Sequence, residues 1–515
     1  MPTEPENDPS SIRAELQALN TRINSTLDNG RSHAAEKRHA KSYRTARENL
    51  VDLVDEASFI EYGQLAVAAQ RNRRSYEDLQ VSTAADGVIT GIGTINAELC
   101  NPESNRAAVA VYDYSVLAGT QGYYHHKKLD RLFSLAEEHA LPVIIYTEGG
   151  GGRPGDTDVH TQIAGLNIET FMIWARLSGQ VPRIAINNGY CFAGNAALFG
   201  SADFTIATQS SWIGMAGPAM IEGGGLGIFA PTDIGPSEAQ TKNGVIDILA
   251  DDEAGATHTA KQLLGYFQGK LEQWSHEDQD FLRRALPEDR RYGYPVRRII
   301  ETLADNNSFL ELRRIYGRSI ITGFIRIEGR PIGLIASDCQ QLGGAVDAEA
   351  AEKAGRFIQQ CSDFNLPVVS LIDTPGFMVG PASEDQAAVR RMSDLFLAGA
   401  KSTSPIIAIF LRKAYGLGAM AMAGGSFARP IYAAAWPTGE FGGMGLEGAV
   451  KLGFKKELEA IEDETERATL FDSLVAKAYE KGKATEAATH LEIDAVIDPA
   501  TTREVIINAL LSASI

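Results

Sequence analysis

The sequence predicts an α/β protein in which one domain occurs twice, and three observations predict it. The first is a strand that runs into a glycine-rich corner. Residues 404–425 read SPIIAIFLRKAYGLGAMAMAGG, in which Pro405 precedes an apolar run of strand length and the chain then turns through Gly416-Leu417-Gly418 into a helix of small residues. The second is a near copy upstream, VPRIAINNGYCFAGNAALFG at residues 181–200, with Pro182 before a short apolar strand and Ala193-Gly194 entering the helix. The third is the order of further matches. LPVIIYTEGGGG from Leu141 pairs with LPVVSLIDTPGF from Leu366, and ITGIGTIN from Ile89 pairs with ITGFIRIE from Ile321. Ordered recurrence at an offset of roughly 223 to 232 positions marks a duplicated domain, far longer than a solenoid repeat.

A chain of 515 residues exceeds what one core organises. Four parts follow: a polar helical arm over 1–86, a first domain over 87–269, a charged helical connector with Pro287 and Pro295 over 270–305, and a second domain over 306–515. Within the arm, residues 11–53 space their apolar side chains at three and four, and residues 1–10 are too polar to order themselves. In the first domain, 127–139 reads as an amphipathic helix before the strand VIIYT, and 148–155 as a turn able to hold unusual dihedrals. In the second, a core-facing helix spans 348–361 before the strand VVSLI, 457–483 is strongly helical, and a last helix lies near 502–511.

With 44% hydrophobic and 22% charged residues the composition is that of a globular protein, and a formal charge of −18 excludes nucleic acid as the main partner. Cys100, Cys191, Cys339 and Cys361 are scattered without a C-x-x-C pair, so free thiols in a reducing cytoplasm are expected, with no metal site. The N-terminus MPTEPENDPS is unlike a targeting peptide, and no apolar run approaches the ~20 residues of a membrane helix. A cytosolic chain is the expectation.

Two motifs fall away. Asp373-Thr374-Pro375-Gly376 has the form of a GTPase D-x-x-G turn, but no G-x-x-x-x-G-K-[ST] accompanies it. Gly416 to Ala421 fits G-x-G-x-x-A, yet Arg412 to Tyr415 intervene where a dinucleotide site needs an immediate strand-to-turn transition. His125, His126 and His160 have no nucleophile or acid arranged around them and read as packing or surface residues, and Met420 and Met422 suit either a lipid-like pocket or core filling. Backbone remains. Gly149 to Gly152, Ala193-Gly194, Thr374 to Gly376 and Gly416 to Gly418 are four small-residue corners that expose N–H donors, which is how a site stabilises an enolate or other oxyanion.

Nine motifs then make the chain recognisable: KSYRTARENLVDLVDEASFIEYG, GVITGIGTIN, LPVIIYTEGGGGR, NGYCFAGNAAL, SADF with MAGPAMI, ITGFIRIEGRPIGLIASD, FNLPVVSLIDTPGFMVG, RKAYGLGAMAM and AAWPTGEFGGMGLEGAV. Over residues 12–507 the chain resembles the carboxyltransferase (beta) subunit of biotin-dependent acyl-CoA carboxylases of the propionyl-, acetyl- and methylcrotonyl-CoA type. The resemblance implies two tandem crotonase-like (ClpP/crotonase) domains, dimers in which the first domain of one subunit faces the second of another, and often a hexamer of three such dimers. It implies that Ala193 and Gly194 hold the acyl-CoA thioester oxygen and that Leu417 and Gly418 hold the biotin ureido oxygen. Gly150, Gly151, Gly152, Gly376, Phe377, Gly416, Ala419 and Met420 would then line the coenzyme A and biotin sites. In the family's mechanism carboxybiotin releases CO₂, the biotin nitrogen left behind removes the acyl α-proton and the enolate attacks CO₂, so the protein supplies donors and position rather than a base. The partner implied is a biotin carboxylase and biotin carboxyl carrier subunit.

The chain departs from the family in several places. The turn that commonly reads S-G-G-A-R is Gly149-Gly150-Gly151-Gly152-Arg153, the L-G-G-A-x-x-H stretch is Ile234-Gly235-Pro236-Ser237-Glu238-Ala239-Gln240, and residues 221–232 are unusually glycine-rich. In propionyl- and acetyl-type members the active stretch reads R-K-A-F-G-G-A-Y-D, and here Met420 takes the Asp position while Phe192 adds a residue before Ala193. A thioether there accommodates apolar groups, so acyl chains longer or more branched than propionyl are expected. The reverse activity, a biotin-dependent acyl-CoA decarboxylase, shares the motifs, and a non-catalytic structural paralogue is the alternative from another class.

Overall fold

A computed structural model describes residues 13–158 and 165–513. The chain forms two compact α/β units, one made of the described residues of Met1–Gln240 with Leu249–Gly265, the other of Thr241–Ile248 with the described residues of Tyr266–Ile515.

The first unit carries a seven-stranded sheet in the order β1-β2-β3-β4-β5-β6-β7. Its strands are β1 (Ile60–Tyr62), β2 (Val88–Thr94), β3 (Arg106–Tyr112), β4 (Val143–Tyr146), β5 (Arg183–Phe192), β6 (Phe204–Gly214) and β7 (Ile248–Ala250). β1, β2 and β3 pair antiparallel, whereas β3 through β6 run parallel. Parallel neighbours need a crossover, and the helix Tyr123–Glu138 supplies the one between β3 and β4. Its face of Leu129, Leu132, Phe133 and Ala136 is buried. β3 and β4 read as near-continuous apolar runs because both faces of a parallel sheet are covered.

The second unit repeats the plan in eight strands, ordered β15-β13-β12-β11-β10-β9-β8, with β14 beside β12. These are β8 (Leu310–Leu312), β9 (Ile320–Ile327), β10 (Arg330–Ser337), β11 (Val368–Thr374), β12 (Ile406–Tyr415), β13 (Tyr432–Ala435), β14 (Glu440–Gly442) and β15 (Ala495–Val496). Again the first three pair antiparallel and β10 through β13 run parallel. The helix Ala348–Asp363, with Asp347 as its cap, makes the first crossover. The helix Val296–Leu303 buries Val296, Ile299, Ile300 and Leu303 in this unit's core with Ile325, Leu334 and Leu371.

The two 16-residue crossover helices share an internal clamp. Lys128 Nζ donates to the carbonyls of Ala85 and Val88, and Lys353 Nζ donates to those of Arg313, Tyr316 and Gly317 at 3.0, 2.9 and 3.4 Å. Both clamps hold loops with positive-φ residues, Ala85 in one and Arg313 in the other. The polar arm forms separate helices Ala14–Asn24, Ser32–His39 and Ala46–Leu53, the last opened by a Thr45–Glu48 capping box. The helical stretch at 457–483 is broken. Lys455–Glu459 stops, and Asp463 starts Glu464–Lys481 by accepting from the N–H groups of Thr465 and Glu466, both at 2.9 Å.

Candidate active site

In the first unit β5 ends at Phe192 and the helix Gly194–Gly200 starts two residues later, with Ala193 as its N-cap at φ 52°, ψ −119°. An alanine there is strained, and strain of this kind marks positions the surroundings over-determine. Ala193 donates its own N–H to the Gly214 carbonyl at 3.0 Å. The Gly194 N–H is the first of the helix and has no acceptor one turn back.

The glycine turn after β4 lies directly against this helix start. A Cβ on Gly151 would stand 2.8 Å from that of Ala193. Asn195 fixes the join: its side-chain amide donates to the Thr147 carbonyl at 3.0 Å, and its Oδ1 accepts from the Gly151 N–H at 3.1 Å. The Gln121 N–H donates to the Gly151 carbonyl and the Arg153 N–H to the Gln121 carbonyl, both at 2.8 Å. The Gly152 N–H between them has no partner among the described residues.

The second unit draws the same bonds. Val346 donates its N–H to the Gly376 carbonyl at 3.0 Å, and Met378 donates to the Val346 carbonyl at 2.8 Å, which leaves the Phe377 N–H in the place of Gly152. The helix Gly416–Met422 begins at Gly416 with φ 56°, so the N–H groups of Leu417 and Gly418 fall among its first, unpaired donors. The Gly418 Cβ position would meet the Phe377 nitrogen at 2.8 Å. Each unit therefore joins a turn donor to helix-start donors. Leu417 is exposed, Ala419 is buried, and Met420 borders a cavity of about 550 Å³ with Gly416, Phe427, Phe441 and Gly442.

A buried carboxylate supports each turn, and sequence reasoning missed both. Glu148 receives a bidentate pair from Arg38 at 3.0 and 2.8 Å, and burial pushes it up to about 7 against the pull of that arginine. Asp373 accepts from Tyr294 Oη at 2.9 Å, from Arg412 Nε at 3.2 Å and from the Lys413 N–H at 3.0 Å. The Asp373-Thr374-Pro375-Gly376 motif is thus the anchor of a turn. The signal available in sequence was the matching position of the two acids, immediately before the paired turns.

The histidines and the cysteine around the first corner are not poised as bases or nucleophiles. His125 is fully buried, with Nδ1 at 3.1 Å from the Asp86 carbonyl, and burial drives its pKa well down. His126 faces Thr170 Oγ1 at 2.9 Å and is brought down to about 4, chiefly by burial, so both rings are neutral at pH 7. His160 lies outside the described residues. Burial pushes the Cys191 thiol up to about 12. Among the described residues no group of His, Cys, Asp and Glu is arranged to hold a metal, and no helix is long and apolar enough to cross a membrane.

Two α/β units of one topology, each ending its central strand in a corner of backbone donors, define a tandem crotonase-like protein. The chain belongs to the carboxyl transferase domain family, which matches residues 37–514. It is 32% identical, over 93% of its length and 90% of the relative's, to the methylmalonyl-CoA carboxyltransferase 12S subunit of Propionibacterium freudenreichii subsp. shermanii. It is 30% identical to the propionyl-CoA carboxylase beta chain of Saccharopolyspora erythraea, over 96% of this chain and 92% of that one. Among solved structures, a single-chain, multi-domain long-chain acyl-CoA carboxylase superposes with a TM-score of 0.92 and 54% identity over 97% of this chain. The chain spans about half the length of that carboxylase, 49%.

Proposed function

We propose that the chain is the carboxyltransferase of a biotin-dependent acyl-CoA carboxylase and that its substrate is a long-chain acyl-CoA. The observation that carries the reaction is the pairing of donors in both units: Gly152 with Gly194, and Phe377 with Leu417 and Gly418. Two corners suit a reaction with two carbonyl-type oxygens to hold. The Gly194 N–H, at the start of a helix, binds the thioester oxygen and stabilises the charge that develops there when the α-carbon loses its proton.

Carboxybiotin, when bound, supplies the carboxyl group. The residues of the second corner fit it: Gly376 and Gly418 approach so closely that no Cβ can intervene, and this leaves the Phe377 and Gly418 N–H groups at a bare backbone cradle for a ureido oxygen. The chain's own part is to hold these oxygens and to position the acyl group, with the glycine turns braced by Glu148 and Asp373. Chain length is supported by Met420 at the Asp position and by the 54% identity to the long-chain enzyme. The working assembly contains further copies of this chain and a biotin-carrying subunit with its biotin carboxylase.

Reconstitution with that subunit, ATP and labelled bicarbonate tests the reading. Acid-stable label should appear in palmitoyl-CoA. No label in any acyl-CoA would overturn it, and ATP-independent loss of CO₂ from an alkylmalonyl-CoA as the sole activity would point to decarboxylation.

A further inference from the structure

β6 does not end in solvent. Its last residue, Gly214, accepts the Ala193 N–H at 3.0 Å, so the segment that follows leaves from the oxyanion corner itself. It then folds over Phe192, the residue before Ala193: a Cβ on Gly217 would lie 3.3 Å from that ring. Beyond it the chain turns apolar and exposed. Met215 is 74% exposed, Met220 71%, Leu226 75% and Ile228 82%, with Phe229 nearly half exposed.

Single exposed apolar side chains are ordinary, but five in one short segment form a patch that water alone does not favour. The helix inside it, Pro218–Gly223, has six residues and buries none of them. So short a helix does not hold by propensity. From Met215 to Thr232 the segment carries a single ionisable side chain, Glu222.

We infer that residues 215–229 form the platform for the hydrocarbon tail of the acyl thioester. The inference rests on the proposed function, since it takes the thioester oxygen to lie at Gly194. A carbonyl held there places the tail beside Gly214 and Gly217, where the apolar patch begins. A long chain covers the platform, whereas propionyl ends before reaching it. The Gly-rich run from Gly223 to Gly227 lets the patch fit chains of different length; Gly225 and Gly227 hold positive φ.

The test combines Met215→Ser, Met220→Ser, Leu226→Ser and Ile228→Ser in the full chain assembled with its biotinylated partner. These side chains are exposed, so folding is not at stake. kcat/KM is measured with propionyl-CoA and with palmitoyl-CoA, and palmitoyl-CoA binding to the chain without partner is followed by calorimetry. Each methylene taken off the platform weakens binding roughly fourfold. The variant should lose at least tenfold in palmitoyl-CoA affinity and kcat/KM and stay within twofold on propionyl-CoA. Equal losses on both substrates would overturn the platform. So would an unchanged palmitoyl profile with an altered oligomeric state in light scattering, which would give the patch to a second copy of the chain. A wild type that binds propionyl-CoA but not palmitoyl-CoA would remove the chain-length reading together with the platform, whereas a wild type that binds palmitoyl-CoA beside an indifferent variant removes the platform alone.

Discussion

A Cβ on Gly418 would stand 2.6 Å from the carbonyl carbon of Gly376. Both atoms belong to backbone, so neither can rotate away, and the turn must move if the side chain grows. Gly418→Ala should therefore displace the Phe377 N–H from the helix start, cost roughly 1–3 kcal/mol of stability by overpacking, and reduce carboxyl transfer at least tenfold. Acyl-CoA binding to the chain without its partner should stay the same, because the first corner is untouched. Full-rate transfer by a folded Gly418→Ala protein would show that the second corner is not where charge is held.

Lys353 gives a pH signature. Burial lowers it from the ordinary 10.5 to about 7, so between those values the unfolded chain holds a proton that the folded chain has released. Stability linked to Lys353 is complete above the unfolded value and is lost as pH falls through about 7. Lys353→Met removes this linkage and leaves the carbonyls of Arg313, Tyr316 and Gly317 without their donor. In urea titrations from pH 6.5 to 9 the stability of the wild type should rise more steeply with pH than that of the variant. Parallel curves would refute the linkage.

Met420 borders the cavity beside Gly416 in the second unit, which in the dimer that the family resemblance implies faces the acyl site of another copy. In place of an acid it leaves that wall apolar, and each further buried methylene contributes up to ~0.8 kcal/mol. Across acetyl-, propionyl-, butyryl-, methylcrotonyl- and octanoyl-CoA, kcat/KM should rise with chain size in the wild type and shift toward the short substrates in Met420→Asp. A wild type confined to acetyl- and propionyl-CoA, with the same profile in the variant, would take Met420 out of the pocket.

No Met-Lys-Met biotinylation site is present, since none of the nine methionines precedes a lysine. The purified chain should give no band with streptavidin and should not carboxylate acyl-CoA from ATP and bicarbonate until a biotinylated carrier and biotin carboxylase are added. A streptavidin-positive band would contradict this.

The duplication was legible because its strands are buried on both faces and its corners need small residues, so both leave a pattern in one dimension. ITGIGTIN and ITGFIRIE fall on β2 and β9, and the paired apolar runs fall on β4 and β11 and on β5 and β12. What the pattern could not carry was tertiary. Periodicity marks the helices that carry Lys128 and Lys353, but it does not show that each lysine is buried by the carbonyls it clamps. Arg38 reaches Glu148 across 110 positions, and β1 is too short to announce that it pairs with β2. The break before Glu464 was readable in principle, from Asp463 followed by Glu466, but the charge-rich helix pattern on both sides concealed it.

The donor role of Gly194 can be separated from the space around it. A Cβ at this position would meet Gln121 Oε1 at 2.1 Å, so any substitution disturbs the Gln121 side chain. Gly194 is, however, the first residue of its helix, the position where proline is best tolerated; besides removing the N–H, a proline there also strains Ala193, which holds φ 52°, ψ −119°. Gly194→Ala and Gly194→Pro share the added Cβ, and they differ in the donor and the ring. The measurement is kcat for carboxyl transfer to palmitoyl-CoA by the two variants, each confirmed as folded. If the Gly194 N–H stabilises the enolate oxygen, the Pro variant should be slower than the Ala variant by about 100-fold, the equivalent of roughly 3 kcal/mol. Equal rates in the two variants would contradict catalysis by this backbone donor.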